Sequence, residues 1–241
     1  MSKKNYRCLI FDADHTLIDY TADERDALKK LFQEIGLPAT DEMILRVNQL
    51  SEETWTEVGL YDVGSKRIKQ EYHFLYKSHL DILFERVFAE FSFAFSPKKA
   101  GELLLVYLED TRNRIENALE TIKQFSNKSG GNYDVYIATN GLVSIQEGRL
   151  KDFLPYVREL VISERLQTIK PHKDFFEKML SQIGASVNEC LMIGDSLSSD
   201  ILGALNVGMD CCWFNPNKKM NALGVTPTFE IEKLTDLAKI L

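Results

Sequence analysis

Residues 9–17 read LIFDADHTL, an apolar run closed by two aspartates one position apart. The run Cys8–Phe11 carries no charged residue, as a strand covered on both faces requires. In an extended chain side chains at i and i+2 leave on the same side, so Asp12 and Asp14 can face one site. Mutual repulsion and lost hydration oppose that placement. It becomes tolerable with a cation, a shared proton, or a reaction that uses both groups.

Working outward, four more short apolar runs end in polar or glycine-containing stretches: Asp134–Ala138, Glu159–Ser163, Cys190–Ile193 and Cys211–Phe214. Helical patterns separate most of them, at Ala118–Phe125, Leu142–Phe153, Lys173–Ile183 and Asp200–Val207. Strands alternating with helices predict an α/β fold, a doubly wound parallel sheet with right-handed crossovers. The interval from Leu17 to Thr111 differs, because its pattern is helical throughout. TADE, Thr21 to Glu24, reads as a capping box opening its first helix, and Gly36-Leu37-Pro38 as that helix's stop. About ninety residues are too many for one crossover, so an all-helical domain is expected to be inserted there. Its aromatic residues, from Trp55 to Phe95, are expected to be mostly core, with a minority free to line a substrate pocket.

A chain of 241 residues, 44% hydrophobic and 27% charged, can bury a sizeable core. No apolar stretch approaches the ~18 residues a membrane helix needs. The start, MSKKNYRCLIFDAD, has neither a signal-peptide core nor a small-residue cleavage site. A cytoplasmic protein with no membrane partner is expected. Cys8, Cys190, Cys211 and Cys212 sit in or beside strand-like runs without forming a CxxC, and are expected to be buried free thiols. The net charge of -7 and the lack of a long Lys/Arg run argue against a nucleic-acid polymer as partner. An anionic small molecule must then be drawn in by local positive charge.

In an open parallel sheet, ligands bind beyond the carboxyl ends of the strands. Asp12 and Asp14 follow the first strand, and Thr139, Asn140 and Gly141 the second. Lys170-Pro171 lies downstream of the third. Gly194-Asp195-Ser196 follows the fourth, with Asp200 five residues past Asp195. Singly, each has a plainer role: a turn for Thr139-Asn140-Gly141, a helix cap for Asp200, a solvated surface residue for Lys170. The fold would pool all four clusters in one place.

In this order DxDxT, a strand ending in TNG, KP and GDSxxxD resemble the haloacid dehalogenase superfamily. The likeness covers residues 1–16 and 112–241 as a Rossmann-like catalytic core, and the helical stretch 17–111 resembles the family's C1-type cap. It implies Asp12 as nucleophile and Asp14 as general acid/base. It implies Mg²⁺ held by Asp12, the backbone carbonyl of Asp14, and Asp195, with Asp200 orienting the set or ligating through water. Lys170, Thr139 and the backbone near Asn140 and Gly141 would hold the phosphoryl oxygens. The residue types suit that chemistry. Carboxylate attack on phosphorus gives an aspartyl-phosphate, while a second carboxyl can protonate the leaving alkoxide and later activate water. A hard cation bound by one or two carboxylates neutralises the cluster and polarises the phosphoryl group. Dehalogenating members lack the second aspartate, so Asp14 favours phosphoryl transfer; phosphomutases keep both.

FDADHTL, YIATNGLVSIQEGRL, LVISE and LMIGDSLSSDILGALNVGMDCCWFNP are, more narrowly, similar to the bacterial pyrimidine 5'-nucleotidases. This implies a Mg²⁺-dependent phosphomonoesterase whose partner is a small phosphate monoester, a nucleoside monophosphate. The alternatives are a phosphatase for another metabolite such as a sugar phosphate, then a phosphomutase, then a non-catalytic binding protein of the same fold. Gln146 and Arg149 fall in the shared stretch without an assigned role, and a helix surface would suit them equally. His15 lies between signature positions and is expected to be structural or modulatory. The chain departs from these proteins at Ile115-Glu116-Asn117-Ala118, where they often carry a Pro-Gly-Ala turn.

Overall fold

The computed structural model describes residues 5–241, so the first four positions of the expected core segment 1–16 lie outside the described residues. Six strands form one parallel sheet in the order β3-β2-β1-β4-β5-β6. They are β1 (Cys8–Phe11), β2 (Asp134–Thr139), β3 (Glu159–Ile162), β4 (Cys190–Gly194), β5 (Asp210–Phe214) and β6 (Phe229–Ile231). The first five match the apolar runs, with ends shifted by at most one residue. β6 escapes the sequence reading because it is three residues long and pairs only with β5, too short for a periodic signal.

Alternation along the strands builds two cores. Leu9, Phe11, Val135, Ile137, Leu191, Ile193 and Phe214 face one side, where α5 (Ala118–Phe125) covers them with Ala118 and Ile122. Cys8, Ile10, Tyr136, Ala138, Cys190, Met192 and Trp213 face the other. There α8 (Lys173–Ile183) contributes Phe175, Phe176 and Met179, and the short α9 (Leu202–Asn206) contributes Ala204. A fully buried Leu, Ile or Phe in such a layer contributes about 1.5–3 kcal/mol relative to exposure. All four cysteines are free and buried, as expected.

The chain leaves β1 for β2 and β3 on one side, then returns past it to β4, β5 and β6 on the other. β1 pairs with both β2 and β4, Cys8 facing Asp134 on one edge and Cys190 on the other. The winding therefore reverses beside β1, and this is where an open α/β sheet leaves a crevice at its carboxyl end.

Ahead of α5 on the path from β1 to β2 come four helices: α1 (Tyr20–Ile35), α2 (Asp41–Val58), α3 (Lys66–Glu90) and α4 (Pro97–Glu109). Thr40, Ser65 and Ser96 cap the last three, each side chain accepting from the backbone N–H three residues on. The expected capping box at Thr21 is displaced. Asp19 caps α1, accepting from Ala22 N–H at 3.0 Å, and this leaves Thr21 and Glu24 uncommitted inside the first turns. Gly36 stops α1 at φ 80°, a conformation glycine adopts without steric cost. The buried faces of the four helices form one apolar cluster that continues onto Leu142, Ile145 and Ile169 of the sheet half. Tyr72, Tyr76, Phe84 and Phe88 belong to it, but Phe74 and Tyr61 stand 72% and 61% exposed.

Two further expectations change. The helix after β2, α6, spans Val143–Arg149 and stops short of Phe153. The segment expected to be helical from Asp200 begins earlier, as a π-helical turn Leu197–Ile201 running into α9. Ser196 is its cap, accepting from Ser199 N–H at 3.2 Å, so Asp200 is not the capping residue. The remaining short helices are α7 (Ser163–Leu166) and α10 (Leu237–Ile240). Among the described residues no helix is long and apolar enough to cross a membrane.

Candidate active site

The ends of β1, β2 and β4 and the loop before α8 converge. Asp12 continues β1, its N–H donating to Ile193 O at 2.8 Å, and is 7% exposed. Thr16 Oγ1, fully buried, accepts from Asp195 N–H at 3.1 Å and so ties the loop after β1 to the loop after β4. Trp213 Nε1 donates to Asp195 O at 2.9 Å from β5. These bonds fix where the Asp195 carboxylate stands.

Lys170 is the hub. Its Nζ donates to Asp12 Oδ1 at 2.5 Å, Asp200 Oδ1 at 2.7 Å and Ala138 O at 2.8 Å, using all three protons in a site where it is 1% exposed. Asn140 holds the Lys170 backbone from both sides, Nδ2 donating to its O and Oδ1 accepting from its N–H, each at 2.9 Å. Asp200 accepts Ser196 N–H with its other oxygen at 3.1 Å. Gly141 N–H is occupied by Ser163 Oγ at 3.0 Å, whereas Thr139, Asn140 and Gly141 all line the same cavity.

The electrostatics follow from crowding. Burial lowers Lys170, but the Asp12 and Asp200 carboxylates outweigh it and hold the ammonium above its usual range. Burial pushes Asp12 up to about 7, Asp200 adds to that, and Lys170 offsets part of it. Asp195 is likewise raised to about 7 by burial and then by Asp12, and burial raises Asp200. Three carboxylates share one ammonium, a deficit that a cation would repair. Asp12, Asp195 and Asp200 offer oxygens that all lie within 4.8 Å of one another. An all-oxygen set of this kind fits a hard divalent ion such as Mg²⁺.

Asp14 is held on the opposite flank. Gln146 Nε2 donates to Asp14 Oδ2 at 2.9 Å and to Thr139 Oγ1 at 2.7 Å. Arg149 Nη1 donates to Asp14 Oδ1 at 2.6 Å, while its Nε donates to Asp23 Oδ2 on α1 at 2.8 Å. Gln146 and Arg149 are 2% and 1% exposed, so neither lies on a helix surface. Burial lowers Arg149, and Asp14 and Asp23 overcome it. Sequence reasoning left both without a role, since an i, i+3 polar pair on a short helix has no periodic signature of burial. Asp23 gave no signal either. His15 adopts φ 60° with its ring edge-on to Tyr20, 5.9 Å between centroids.

All of this opens on one cavity of 470 Å³, floored by Asp12, Asp14, Lys170 and Asp195 and walled by Tyr20, Glu24, Asn48, Trp55, Tyr72 and Tyr76 from the helical insert. That volume suits a small organic ligand.

Residues 6–208 match the family of haloacid dehalogenase-like hydrolases. The chain is 34% identical to the pyrimidine 5'-nucleotidase PynA of Streptococcus pneumoniae, over 98% of this chain and 95% of that protein. It is 29% identical to the pyrimidine 5'-nucleotidase YjjG of Escherichia coli, over 97% and 96%. The crystal structure of the HAD-hydrolase YfnB of Bacillus subtilis, bound to magnesium, superposes with a TM-score of 0.84 at 30% identity, covering 99% of both chains. With a converged acidic site at the switch point of its sheet and a match over most of its length, the chain belongs to the haloacid dehalogenase-like hydrolases.

Proposed function

We propose that this hydrolase is a cytosolic phosphomonoesterase that cleaves pyrimidine nucleoside 5'-monophosphates through an aspartyl-phosphate on Asp12. The observation that carries the chemistry is the placement of Asp14 beside Asp12 in one cavity, each in a different setting: Asp12 against the Lys170 ammonium, Asp14 against Arg149 and Gln146. The nucleotide substrate rests on the likeness to two pyrimidine 5'-nucleotidases over nearly the whole chain. Four buried free thiols suit a reducing compartment. In this reading residues 1–16 and 112–241 form the catalytic core and 17–111 a cap.

Asp12 attacks phosphorus in line with the leaving oxygen. The bond from phosphorus to that oxygen breaks as Asp14 delivers a proton to it, and the nucleoside departs. Asp14, now ionised, takes a proton from water, the water oxygen bonds to phosphorus, the Asp12–phosphorus bond breaks, and inorganic phosphate leaves. Lys170 favours the ionised form of Asp12, and its charge, with the Thr139 hydroxyl, faces charge that grows on the phosphoryl oxygens. Asp200 positions Lys170. Mg²⁺, held by Asp12 and Asp195 with the Asp14 carbonyl, would supply charge neutralisation and phosphoryl polarisation. The helical insert shields the acyl-phosphate from stray water.

The test is phosphate release by the purified protein with Mg²⁺ and with EDTA, from UMP, dUMP, dTMP, AMP, a sugar phosphate and p-nitrophenyl phosphate. Metal-dependent release from pyrimidine nucleotides, abolished in Asp12→Asn, is the expected result. Release mainly from sugar phosphates would keep the chemistry and discard the substrate.

A further inference from the structure

Glu24 on α1 and Asn48 on α2 line the active-site cavity from the insert's side. Among the described residues the Glu24 carboxyl makes no hydrogen bond or ion pair, and Asn48 Oδ1 is buried with no partner. Folding gains nothing from either arrangement. A partly buried carboxyl without a partner, and still more a buried amide oxygen without a donor, costs free energy that a bound ligand can return. Neither group takes part in the chemistry above, and Asp19 has taken over the capping role that would otherwise have employed the first turn.

The state of Glu24 narrows the ligand. Burial pushes its carboxyl up to about 7, Glu52 across the cavity raises it further, and Arg149 offsets part of this. Near neutral pH it therefore carries its proton much of the time. A protonated carboxyl presents one O–H donor and one C=O acceptor side by side. Its geometric complement is a planar ring edge with an N–H next to a C=O, as in a lactam, or an amino group next to a ring nitrogen. Around it stand Tyr20, Trp55, Tyr72 and Tyr76, whose rings suit a flat aromatic leaving group.

We propose that Glu24 reads the hydrogen-bonding edge of the substrate's base, pairing with N3–H and an adjacent carbonyl of uracil or thymine, while Asn48 supplies a second polar contact to the same ring. This inference rests on the nucleotidase reading and adds the residue that recognises the leaving group.

Two substrates and two variants test it. UMP is compared with its N3-methyl derivative, which has lost the donor, and p-nitrophenyl phosphate serves as a substrate without such an edge. In the parent, kcat/KM for N3-methyl-UMP is expected to be about 10- to 100-fold below that for UMP. Glu24→Leu lowers kcat/KM for UMP by a similar factor, leaves p-nitrophenyl phosphate within about twofold, and erases the difference between UMP and N3-methyl-UMP. Glu24→Gln keeps one donor and one acceptor and retains most of the UMP activity. Equal rates for UMP and N3-methyl-UMP in the parent overturn the inference while leaving the nucleotidase reading intact, and that arm needs no folded variant. Equal losses on UMP and the aryl phosphate in Glu24→Leu also overturn it. A parent that cleaves aryl phosphate but no nucleoside monophosphate removes the reading itself, and the inference with it.

Discussion

Arg149 and Asp14 form an ion pair of 2.6 Å in which the arginine is 1% exposed, and the same guanidinium reaches 2.8 Å from Asp23 on α1. Asp23 in turn accepts from Asn113 N–H and Nδ2, at 2.9 and 3.0 Å, where the chain returns from the insert to the sheet half. The Arg149 Cζ lies 5.1 Å from the Tyr20 ring centroid, which adds a cation–π contact to the buried cation's hydrogen bonds. One residue thus connects the proposed acid/base to both crossings between sheet and helical insert.

Arg149→Met should therefore act through Asp14 rather than on substrate directly. An ester with a poor leaving group needs a well-placed proton donor and an aryl phosphate does not. The expected result is a fall of about 10²-fold in kcat/KM for a nucleoside monophosphate and a much smaller fall for p-nitrophenyl phosphate. A uniform loss on both would mean that Arg149 is merely structural. The same variant strands the fully buried Asp23, and urea unfolding should show a loss of about 3–5 kcal/mol, lessened by the Asn113 bonds.

Lys170 answers for two carboxylates at once, 2.5 Å from Asp12 and 2.7 Å from Asp200. Lys170→Met keeps the length of the chain and removes the charge. Turnover should drop by about 10²–10³-fold, the usual cost of losing one preorganised charge beside the developing oxyanion. Steady-state kinetics on the best substrate checks this; retention of more than about a tenth of kcat would refute the role.

The sheet and these two lysine partners were legible in the sequence for one reason: strands buried on both faces read as apolar runs, and polar clusters at their ends stand out against them. Asp12, Asp14, Lys170, Asp195 and Asp200 were found that way, as was the helical insert by its length. Arg149, Gln146, Asp23 and Glu24 were not. Each is a polar residue within a helix, where the chain's pattern is the same for a solvated face and for a face turned toward a buried cavity. The displaced cap illustrates the same limit, because Asp19 and Thr21 are both good caps and only the entry path of the chain into α1 decides between them.

Gly194 ends β4 with Asp200 packed directly against it. A methyl group there would lie 2.2 Å from Asp200 Oδ2, 2.5 Å from its Cγ and 2.7 Å from its Cβ, so the clash runs the length of a side chain that Lys170 and Ser196 already hold in place. Gly194→Ala should push Asp200 off Lys170. We expect a stability loss of about 1–3 kcal/mol, as for overpacking in a core, together with a loss of activity of at least about tenfold. Thermal unfolding and kinetics on one preparation check both. A variant as stable and as active as the parent would show that Asp200 can shift without consequence.

His79 gives the insert a titration of its own. It is 3% exposed, its Nδ1 lies 2.6 Å from Tyr76 O, and its ring meets Trp55 edge-on with 4.9 Å between centroids. Burial pushes its imidazole down to about 4, partly offset by the backbone carbonyls of Tyr76 and Leu75. Unfolded, the imidazole titrates near 6.5. Between these values the unfolded chain binds more protons than the folded one, so stability rises with pH across that window. The contribution is complete above about pH 6.5 and is lost as pH falls toward about 4, at up to about 1.4 kcal/mol per pH unit. His79→Phe keeps an aromatic ring against Trp55 and removes the proton. Carboxylates titrate in the same range in both proteins, so the difference between parent and variant isolates the histidine. The Tm advantage of the parent over His79→Phe should shrink, or reverse, as pH is lowered from about 7 to about 4.5. A difference that stays constant over that range would mean that His79 takes up its proton in the folded protein as readily as in the unfolded chain.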